Sequence, residues 1–125
     1  MKEREQAILS FFDAWLLQDS ALLQGVLAED ILYREYWGAQ YRGKEQIYRW
    51  FEEYNQRTRV LMWDVKHFWH DADVTIVQWY FKNHSDDGNS EECDGVSVVH
   101  FAADNTIAQF YDFMAMTDRF SPFED

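Results

Sequence analysis

The sequence predicts an α+β fold in which a cone-shaped, curved antiparallel sheet wraps around three N-terminal helices. Two observations lead to it. Apolar residues recur at helical spacing only before Asn55, whereas from Arg59 onward long runs of β-branched and aromatic residues alternate with turns. Helices that are segregated from an antiparallel meander are typical of the α+β class.

Three helices and one strand are predicted in the N-terminal half. The apolar stripe of the first helix covers residues 3–18, and a short second helix runs from residue 19 or 20 to about 27. A third helix covers 44–55 and has a buried side formed by Ile47, Trp50, Phe51 and Tyr54. The strand-forming run 31–37 separates the last two helices and ends at Gly38.

Two hairpins complete the predicted sheet. The first joins the runs 59–70 and 73–84 around a turn, and the polar stretch 83–92 is predicted as a loop. The second hairpin spans Gly95–Ala115 and turns at Asp104-Asn105, because Asp and Asn tolerate the left-handed backbone of tight turns. No repeat or linker divides the chain, so we expect a single domain over residues 1–125.

The register of the second hairpin places one carboxylate on an apolar face. If Ala103 pairs with Thr106, side chains alternate so that Ser97 lies opposite Asp112. The same register places Phe101 opposite Ala108 and Val99 opposite Phe110. The other face is then formed by Val96, Val98, His100, Ile107, Gln109, Tyr111 and Phe113. A carboxylate beside small residues on an apolar surface suggests a pocket.

Composition and charge limit the function classes. Aromatic residues are 18% of the chain, more than a core of this size needs, so we expect some to line a cavity or a subunit interface. The net charge of −12 repels phosphate backbones and argues against nucleic acid as a partner. No apolar run approaches the roughly 20 residues of a membrane span, so we expect a cytoplasmic protein without a membrane partner.

No metal or organic cofactor is expected. The single Cys93 excludes an internal disulfide and offers no zinc cluster. His67 and His70 lie beside Asp71 and Asp73 at a predicted turn, where Asp is expected for backbone reasons, and their spacing matches no defined ligand set.

Two carboxylates are the candidate catalytic groups. Asp112 lies on the apolar face of the second hairpin, where burial raises a carboxyl pKa toward neutrality and suits it to acid/base chemistry. Glu35 shares its strand face with Tyr33 and Trp37 and is the candidate second proton carrier. The alternative for Glu35 is a residue near the strand end that reaches water past Trp37 and pairs with Lys44. The alternative for Asp112 is a structural role as a cap or as the partner of an arginine.

The candidate ligand-binding residues are mostly aromatic. Their alternative role is plain core packing, because aromatic side chains dominate cores as well as sites. They favour an apolar or ring-bearing small molecule as the ligand. The set comprises Phe11, Trp15, Tyr33, Trp63, Trp79, Ser97, Val99 and Phe110.

Motifs along nearly the whole chain resemble the SnoaL-like branch of the nuclear-transport-factor-2-like superfamily, which has a cystatin-like fold. The resemblance rests on the aromatic first helix, on Asp19–Leu22 opening the second, on Leu27–Asp30 before a strand, on Tyr41–Ile47 opening the third, and on the closing strand Ile107–Ala115. It implies a conical α+β barrel with an internal pocket and a homodimer formed through the outer face of the sheet.

The activities within this superfamily differ in their site residues. The resemblance places the two oxyanion donors of ketosteroid isomerases at Phe11 and Val99, which cannot donate a hydrogen bond, and the basic aspartate near Glu35. The last-strand aspartate of epoxide hydrolases falls on Asp112, but Tyr111 stands where they have arginine. Polyketide cyclases of the SnoaL type need only an acidic residue and a shaped pocket.

Three hypotheses follow. The first is a cofactor-free cyclase, isomerase or hydratase that acts on a small hydrophobic molecule by acid/base catalysis. The second is a non-catalytic ligand-binding or dimerisation module in which Asp112 is structural. The third is an interaction module that uses the outer sheet face, with Val96, Val98, Tyr111 and Phe113.

Overall fold

A computed structural model describes residues 1–123 and confirms the α+β class. Two α-helices and a single 3₁₀ turn pack on the concave face of one six-stranded curved sheet. The elements in chain order are α1 (Lys2–Leu17), the 3₁₀ turn (Ser20–Leu23), β1 (Leu27–Arg34), β2 (Gln40–Arg42), α2 (Gly43–Arg57), β3 (Thr58–Asp71), β4 (Val74–Ser85), β5 (Ser90–Phe101) and β6 (Ile107–Met116).

The sheet is mixed, whereas the sequence predicted antiparallel strands only. Its strand order is β2-β1-β6-β5-β4-β3, and β1 runs parallel to β6 with Tyr33 beside Phe110. All other neighbouring strands are antiparallel. The parallel pair joins the first strand to the last strand. Because these strands are far apart in the sequence, local sequence patterns do not predict that they pair.

Two predicted N-terminal boundaries are wrong. The second helix ends at Leu23 rather than near Leu27, because Gly25 has a positive φ of 79° and breaks it. The strand predicted over residues 31–37 begins at Leu27 and ends at Arg34. The chain then turns, with the Gly38 amide donating to the Glu35 carbonyl at 3.0 Å.

The predicted register of the second hairpin holds for its central pairs. Ser97 lies opposite Asp112 and Val99 opposite Phe110. Near the turn, however, Phe101 pairs with Ile107 rather than Ala108, because the register shifts by one residue at a bulge. The bulge carries Ile107 into the core, where it is fully buried, instead of leaving it on the outer face.

The predicted loop over residues 83–92 is also mostly strand. Only residues 86–89 turn between β4 and β5. Asn83 and Glu91 are paired across the two strands, and the Glu91 amide donates to the Asn83 side-chain oxygen at 2.9 Å. Polar composition suggested a loop here, but Asn83 is buried on the concave face of the sheet.

Aromatic packing fills one end of the cone. Phe11 and Phe12 of α1 pack on the concave sheet face, with ring centroids 4.8 Å apart for Phe11–Phe110 and 4.1 Å for Phe12–Trp63. These rings are nearly or completely buried and fix α1 against the sheet. Within residues 1–123, none of the helices has the length and apolar character needed to cross a membrane.

Candidate functional site

A cavity of about 430 Å³ opens between the helices and the concave face of the sheet. Its walls come from α1, β1, α2 and all of the long strands, so the fold rather than one segment assembles it. Ten aromatic side chains line it: Trp15, Tyr33, Tyr36, Trp37, Tyr41, Trp50, Tyr54, Trp63, Trp79 and Phe81. The other lining residues are Glu35, Glu53, Arg57, Thr58, Val60, Asn83, Glu91, Cys93 and Asp112.

Asp112 lies in the floor of this cavity within a hydrogen-bond network. Tyr33 donates its hydroxyl proton to Asp112 Oδ2, and Ser97 Oγ donates to Oδ1 at 2.7 Å. Trp79 Nε1 in turn donates to Ser97 Oγ at 2.9 Å. The network crosses β1, β6, β5 and β4, so the sheet register holds both carboxylate oxygens in fixed positions.

The floor depends on the absence of a side chain at Gly95. A Cβ there would lie 2.5 Å from the Phe113 carbonyl oxygen and would overlap the Trp79 ring. Gly95 therefore leaves the space in which the Trp79 indole reaches Ser97.

Burial raises the pKa of Asp112 from 3.8 to about 7. The hydrogen bonds from Tyr33 and Ser97 oppose this rise because they stabilise the carboxylate, while the negative charge of Glu35 adds to it. Burial next to this carboxylate also raises the pKa of Tyr33 well above its usual value. A carboxyl group with this pKa is present in both its protonated and its ionised form near neutral pH.

Glu35 lies at the rim of the cavity, in the turn after β1. Burial raises its pKa, a hydrogen bond from Tyr41 lowers it, and the charge of Glu91 raises it. The Tyr41 hydroxyl donates to Glu35 Oε2 at 3.1 Å. Glu35 is half-buried, as Asp112 is, and it lies in a turn rather than in a strand.

Two further hydrogen bonds connect polar side chains at the rim of the cavity. Asn83 Nδ2 donates to the Tyr54 hydroxyl at 2.7 Å, and the Tyr36 hydroxyl donates to Glu91 Oε2 at 3.2 Å. These contacts tie α2 and the turn after β1 to the ends of β4 and β5. The mouth is therefore framed by aromatic hydroxyls and carboxylates.

Two buried indole groups in the wall lack a partner. Trp15 and Trp63 are 2% and 8% exposed, and the Nε1 atom of neither finds an acceptor among residues 1–123. Buried donors are usually hydrogen-bonded. Both residues line the cavity through other side-chain atoms, because the Nε1 atoms themselves are enclosed.

Comparison with known proteins agrees with this architecture. A family model described as a SnoaL-like domain matches residues 8–110. The chain belongs to the SnoaL-like domain family. A search of curated proteins found no match.

Solved structures share the fold of this SnoaL-like domain at low sequence identity. An LEH-like epoxide hydrolase from M. tuberculosis has a TM-score of 0.80 at 13% identity, covering 91% of this chain and 84% of the other. A protein of ketosteroid isomerase-like fold from Catenulispora acidiphila, in complex with trimethylamine, has 0.77 at 16%, covering 90% and 86%. An NTF2-like protein of unknown function from Burkholderia pseudomallei has 0.75 at 16%, covering 92% of each chain.

The predicted site residues divide between the cavity and the core. Asp112 and Glu35 line the same cavity of the SnoaL-like domain. Of the eight ligand-binding candidates, Trp15, Tyr33, Trp63 and Trp79 also line it, whereas Phe11, Ser97, Val99 and Phe110 do not and are completely buried. Ser97 reaches the site indirectly, through its hydrogen bond to Asp112.

The sequence analysis missed the wall that α2 contributes to the SnoaL-like domain. Trp50, Glu53, Tyr54 and Arg57 line the cavity, and their spacing of three and four residues places them on one face of α2. That spacing was visible, but Trp50 and Tyr54 were assigned only to a buried stripe. Asn83 and Glu91 were missed because their segment was predicted as a loop.

Of the two histidines near the first hairpin turn, His70 contacts α1. His70 Nε2 lies 2.6 Å from Glu5 Oε2, and its Nδ1 lies 2.9 Å from Thr75 Oγ1. Over the described part of the SnoaL-like domain, residues 1–123, His, Cys, Asp and Glu side chains form no group of three or more arranged for a metal ion.

Proposed function

We propose that this SnoaL-like protein is a cofactor-free enzyme that transfers a proton within a small, ring-bearing molecule, as a cyclase, isomerase or hydratase does. One observation carries the proposal: Asp112 lies in the floor of an aromatic cavity with its pKa raised to about 7 by burial. A carboxyl group with this pKa is a competent base and a competent acid at neutral pH.

Each polar residue of the site has a role in this proposal. The Asp112 carboxylate takes the proton from the substrate, and the Tyr33 and Ser97 hydroxyls hold it in position. Glu35 acts as the second proton carrier and exchanges protons with water at the rim. The aromatic walls exclude water from the base, which keeps the carboxylate poorly solvated and reactive.

A substrate oxygen fits the wall as well. The isomerase donor positions, Phe11 and Val99, are apolar and buried here. The indole N–H groups of Trp15 and Trp63 lack an acceptor, and a carbonyl or ether oxygen reaches them only if these enclosed rings turn toward the cavity on binding. A hydrogen bond to such an oxygen stabilises the negative charge that develops when a neighbouring C–H is deprotonated.

The test uses 5-nitrobenzisoxazole, a ring-bearing probe of carboxylate bases. A base removes its C3 proton while the ring N–O bond breaks, and the product phenoxide is measured by absorbance. We expect the rate to rise with pH through about 7 as Asp112 loses its proton, and Asp112→Asn to lower it by on the order of 100-fold or more.

The matched control for this test is Asp64→Asn, an identical change at an exposed position of β3 outside the cavity. It should retain the wild-type rate and pH profile. Equal rates for Asp112→Asn and the wild type would overturn the proposal.

A non-catalytic ligand-binding module is the second candidate. The observation that favours it is that both Asp112 oxygens already accept hydrogen bonds from protein side chains, as a structural carboxylate does. In this case, Asp112→Asn would leave the probe reaction unchanged, and a ligand would still perturb the fluorescence of the cavity tryptophans.

We also propose that a second copy of the chain covers the outer sheet face. The pairs Trp69–Ile76, Ile76–Val98 and Val98–Tyr111 form a continuous row across four strands on that face. Trp69 is 48% exposed and nearby Phe113 is 53% exposed. Monomeric proteins rarely leave a continuous apolar patch of this kind in contact with water. Light scattering should give the mass of a dimer for the wild type and the mass of a monomer for Val98→Lys. A wild-type monomer at micromolar concentration would contradict the proposed dimer.

A further inference from the structure

We propose that the ligand of the cavity is an organic cation, with an ammonium group held at the rim and a ring-bearing body inside. The inference rests on the proposed function because it concerns the same cavity, and it specifies the substrate class. Two features of the wall carry it: its excess of carboxylates and its aromatic rings.

Negative charge dominates the cavity. Four carboxylates, those of Glu35, Glu53, Glu91 and Asp112, line it, against the single cation of Arg57. Glu53 is bonded to Arg49 at 3.3 Å. Even with Arg57 in the wall and Arg49 beside Glu53, acidic side chains outnumber basic ones at the cavity.

The remaining rim carboxylates have only neutral partners. Among residues 1–123, neither Glu35 nor Glu91 lies within 4.0 Å of a basic side-chain nitrogen. They accept hydrogen bonds from tyrosine hydroxyls instead. Both line the same cavity as Tyr54, and, in addition to burial, the charge of Glu91 raises the pKa of Glu35 while both charges raise the pKa of Tyr54. A ligand ammonium group would remove this repulsion.

The aromatic wall suits a cation equally well. Trp50 lies beside three other rings, with centroid distances of 4.3 Å to Tyr41, 4.6 Å to Trp15 and 4.8 Å to Tyr33. Indole and phenol rings attract cations through the negative charge of their faces, and the attraction strengthens where water is excluded. Methylated ammonium groups gain most, because they are large and weakly hydrated.

Other ligand charges fit the wall less well. An anion would meet three rim carboxylates and the protein's net charge of −12. A neutral molecule would gain the aromatic contacts but leave the carboxylates unpaired.

The experiment compares two probes of similar shape. Benzyltrimethylammonium carries the charge, and 2-methyl-1-phenylpropan-2-ol replaces one N-methyl group and the charged nitrogen by a hydroxyl and a carbon. Binding is measured by tryptophan fluorescence and by calorimetry. We expect the cation to bind about 10-fold more tightly than the alcohol and to weaken as salt rises.

Variants locate the effect. Glu35→Gln should weaken binding of the cation by about 5-fold and the rim change Glu91→Gln by about 3-fold, with little effect on the alcohol. Glu92→Gln is the matched control, because it removes the same charge one residue along β5 from a side chain that does not line the cavity. It should leave cation affinity within about twofold of the wild type.

The outcomes separate this inference from the proposed function. Equal affinity for the two probes, or equal weakening by Glu91→Gln and Glu92→Gln, overturns the cation inference and leaves proton transfer by Asp112 standing. An unchanged probe reaction in Asp112→Asn with the cation preference intact overturns only the proposed enzyme. Failure of both probes to bind overturns the cation inference as well.

Discussion

The floor and the rim of the cavity treat their carboxylates differently. At the floor, Asp112 is bonded through both oxygens to side chains of β1 and β5, and burial raises its pKa to about 7. At the rim, Glu35 lies in a turn, is bonded through one oxygen to Tyr41, and has a smaller rise with the same cause. The two carboxyl groups therefore differ in the hydrogen bonds that they accept and in how far their pKa values rise.

The difference matches the two tasks of the proposed reaction. The base must stay in place, whereas the group that exchanges protons with water must reach it. The proposal assigns the first task to Asp112 and the second to Glu35. The predictions below test whether the two regions are as distinct as their geometry indicates.

The largest expected effect is on stability at the floor. Folding raises the pKa of Asp112 from 3.8 to about 7, so the folded state holds this proton more tightly than the unfolded chain. Wild-type stability therefore falls as pH rises from about 4 to 7, and the cost is fully present above 7. Asp112→Asn avoids it and should be more stable than the wild type by about 2–4 kcal/mol at pH 8.

Urea unfolding at pH 5 and pH 8 checks this prediction. The advantage of Asp112→Asn should shrink at pH 5, where the wild-type carboxyl is protonated in the folded state. Asp64→Asn, on the exposed surface of β3, serves as the control. An advantage independent of pH would show that the floor does not disfavour the charge.

The next effect concerns the space beneath Trp79. Gly95→Ala should destabilise the protein by about 2–3 kcal/mol, because the added methyl meets the Trp79 ring and the Phe113 carbonyl oxygen. Thermal unfolding measures the loss. The double variant Gly95→Ala/Trp79→Phe should recover part of it, since the smaller ring withdraws from the methyl. If the double variant recovers no stability, the destabilising contact is with the Phe113 carbonyl oxygen and not with the Trp79 ring.

The hydrogen bond from Tyr33 gives a smaller effect on the chemistry of the floor. In Tyr33→Phe the Asp112 carboxylate loses a donor, so the pKa of Asp112 should rise above 7. The midpoint of the probe reaction would move to higher pH by the same amount. A carbon-detected NMR titration of the Asp112 carboxyl follows the pKa directly, and a fall in the pKa would contradict the assigned donor direction.

The rim should respond least. Tyr41→Phe removes the hydroxyl that donates to Glu35 and should raise the pKa of that residue slightly, without changing the pKa of Asp112. The same NMR titration reads both carboxyl groups in one experiment. A shift of Asp112 as large as that of Glu35 would mean that floor and rim titrate as one unit.

Local patterns predicted the floor better than the rim. Alternation along β5 and β6 was enough to place Ser97 opposite Asp112, because a tight turn fixes the register of a hairpin. The same reasoning failed beyond the bulge at Ala108, which displaced Ile107 into the core. A bulge adds one residue to one strand and leaves no distinctive sequence signal at an alanine.

The rim required information that the sequence carries only through distant contacts. Glu91 and Asn83 meet because two long strands pair to their ends, and α2 adds Trp50 and Tyr54 because it packs over that same opening. Composition marked the Asn83 segment as a loop and the α2 residues as core. Tertiary packing decided otherwise, since a concave sheet gives buried polar residues a place on its inner face.

The parallel pairing of β1 with β6 sets the order in which the molecule can be completed during translation. β1 leaves the ribosome early, yet apart from the three-residue β2 its partner is the last strand of the sheet. The hydrogen bond between Tyr33 and Asp112 therefore cannot form until almost the whole domain has been synthesised. Contacts of such long range form slowly, so the nascent chain depends on the two later hairpins to provide a template on which β1 docks.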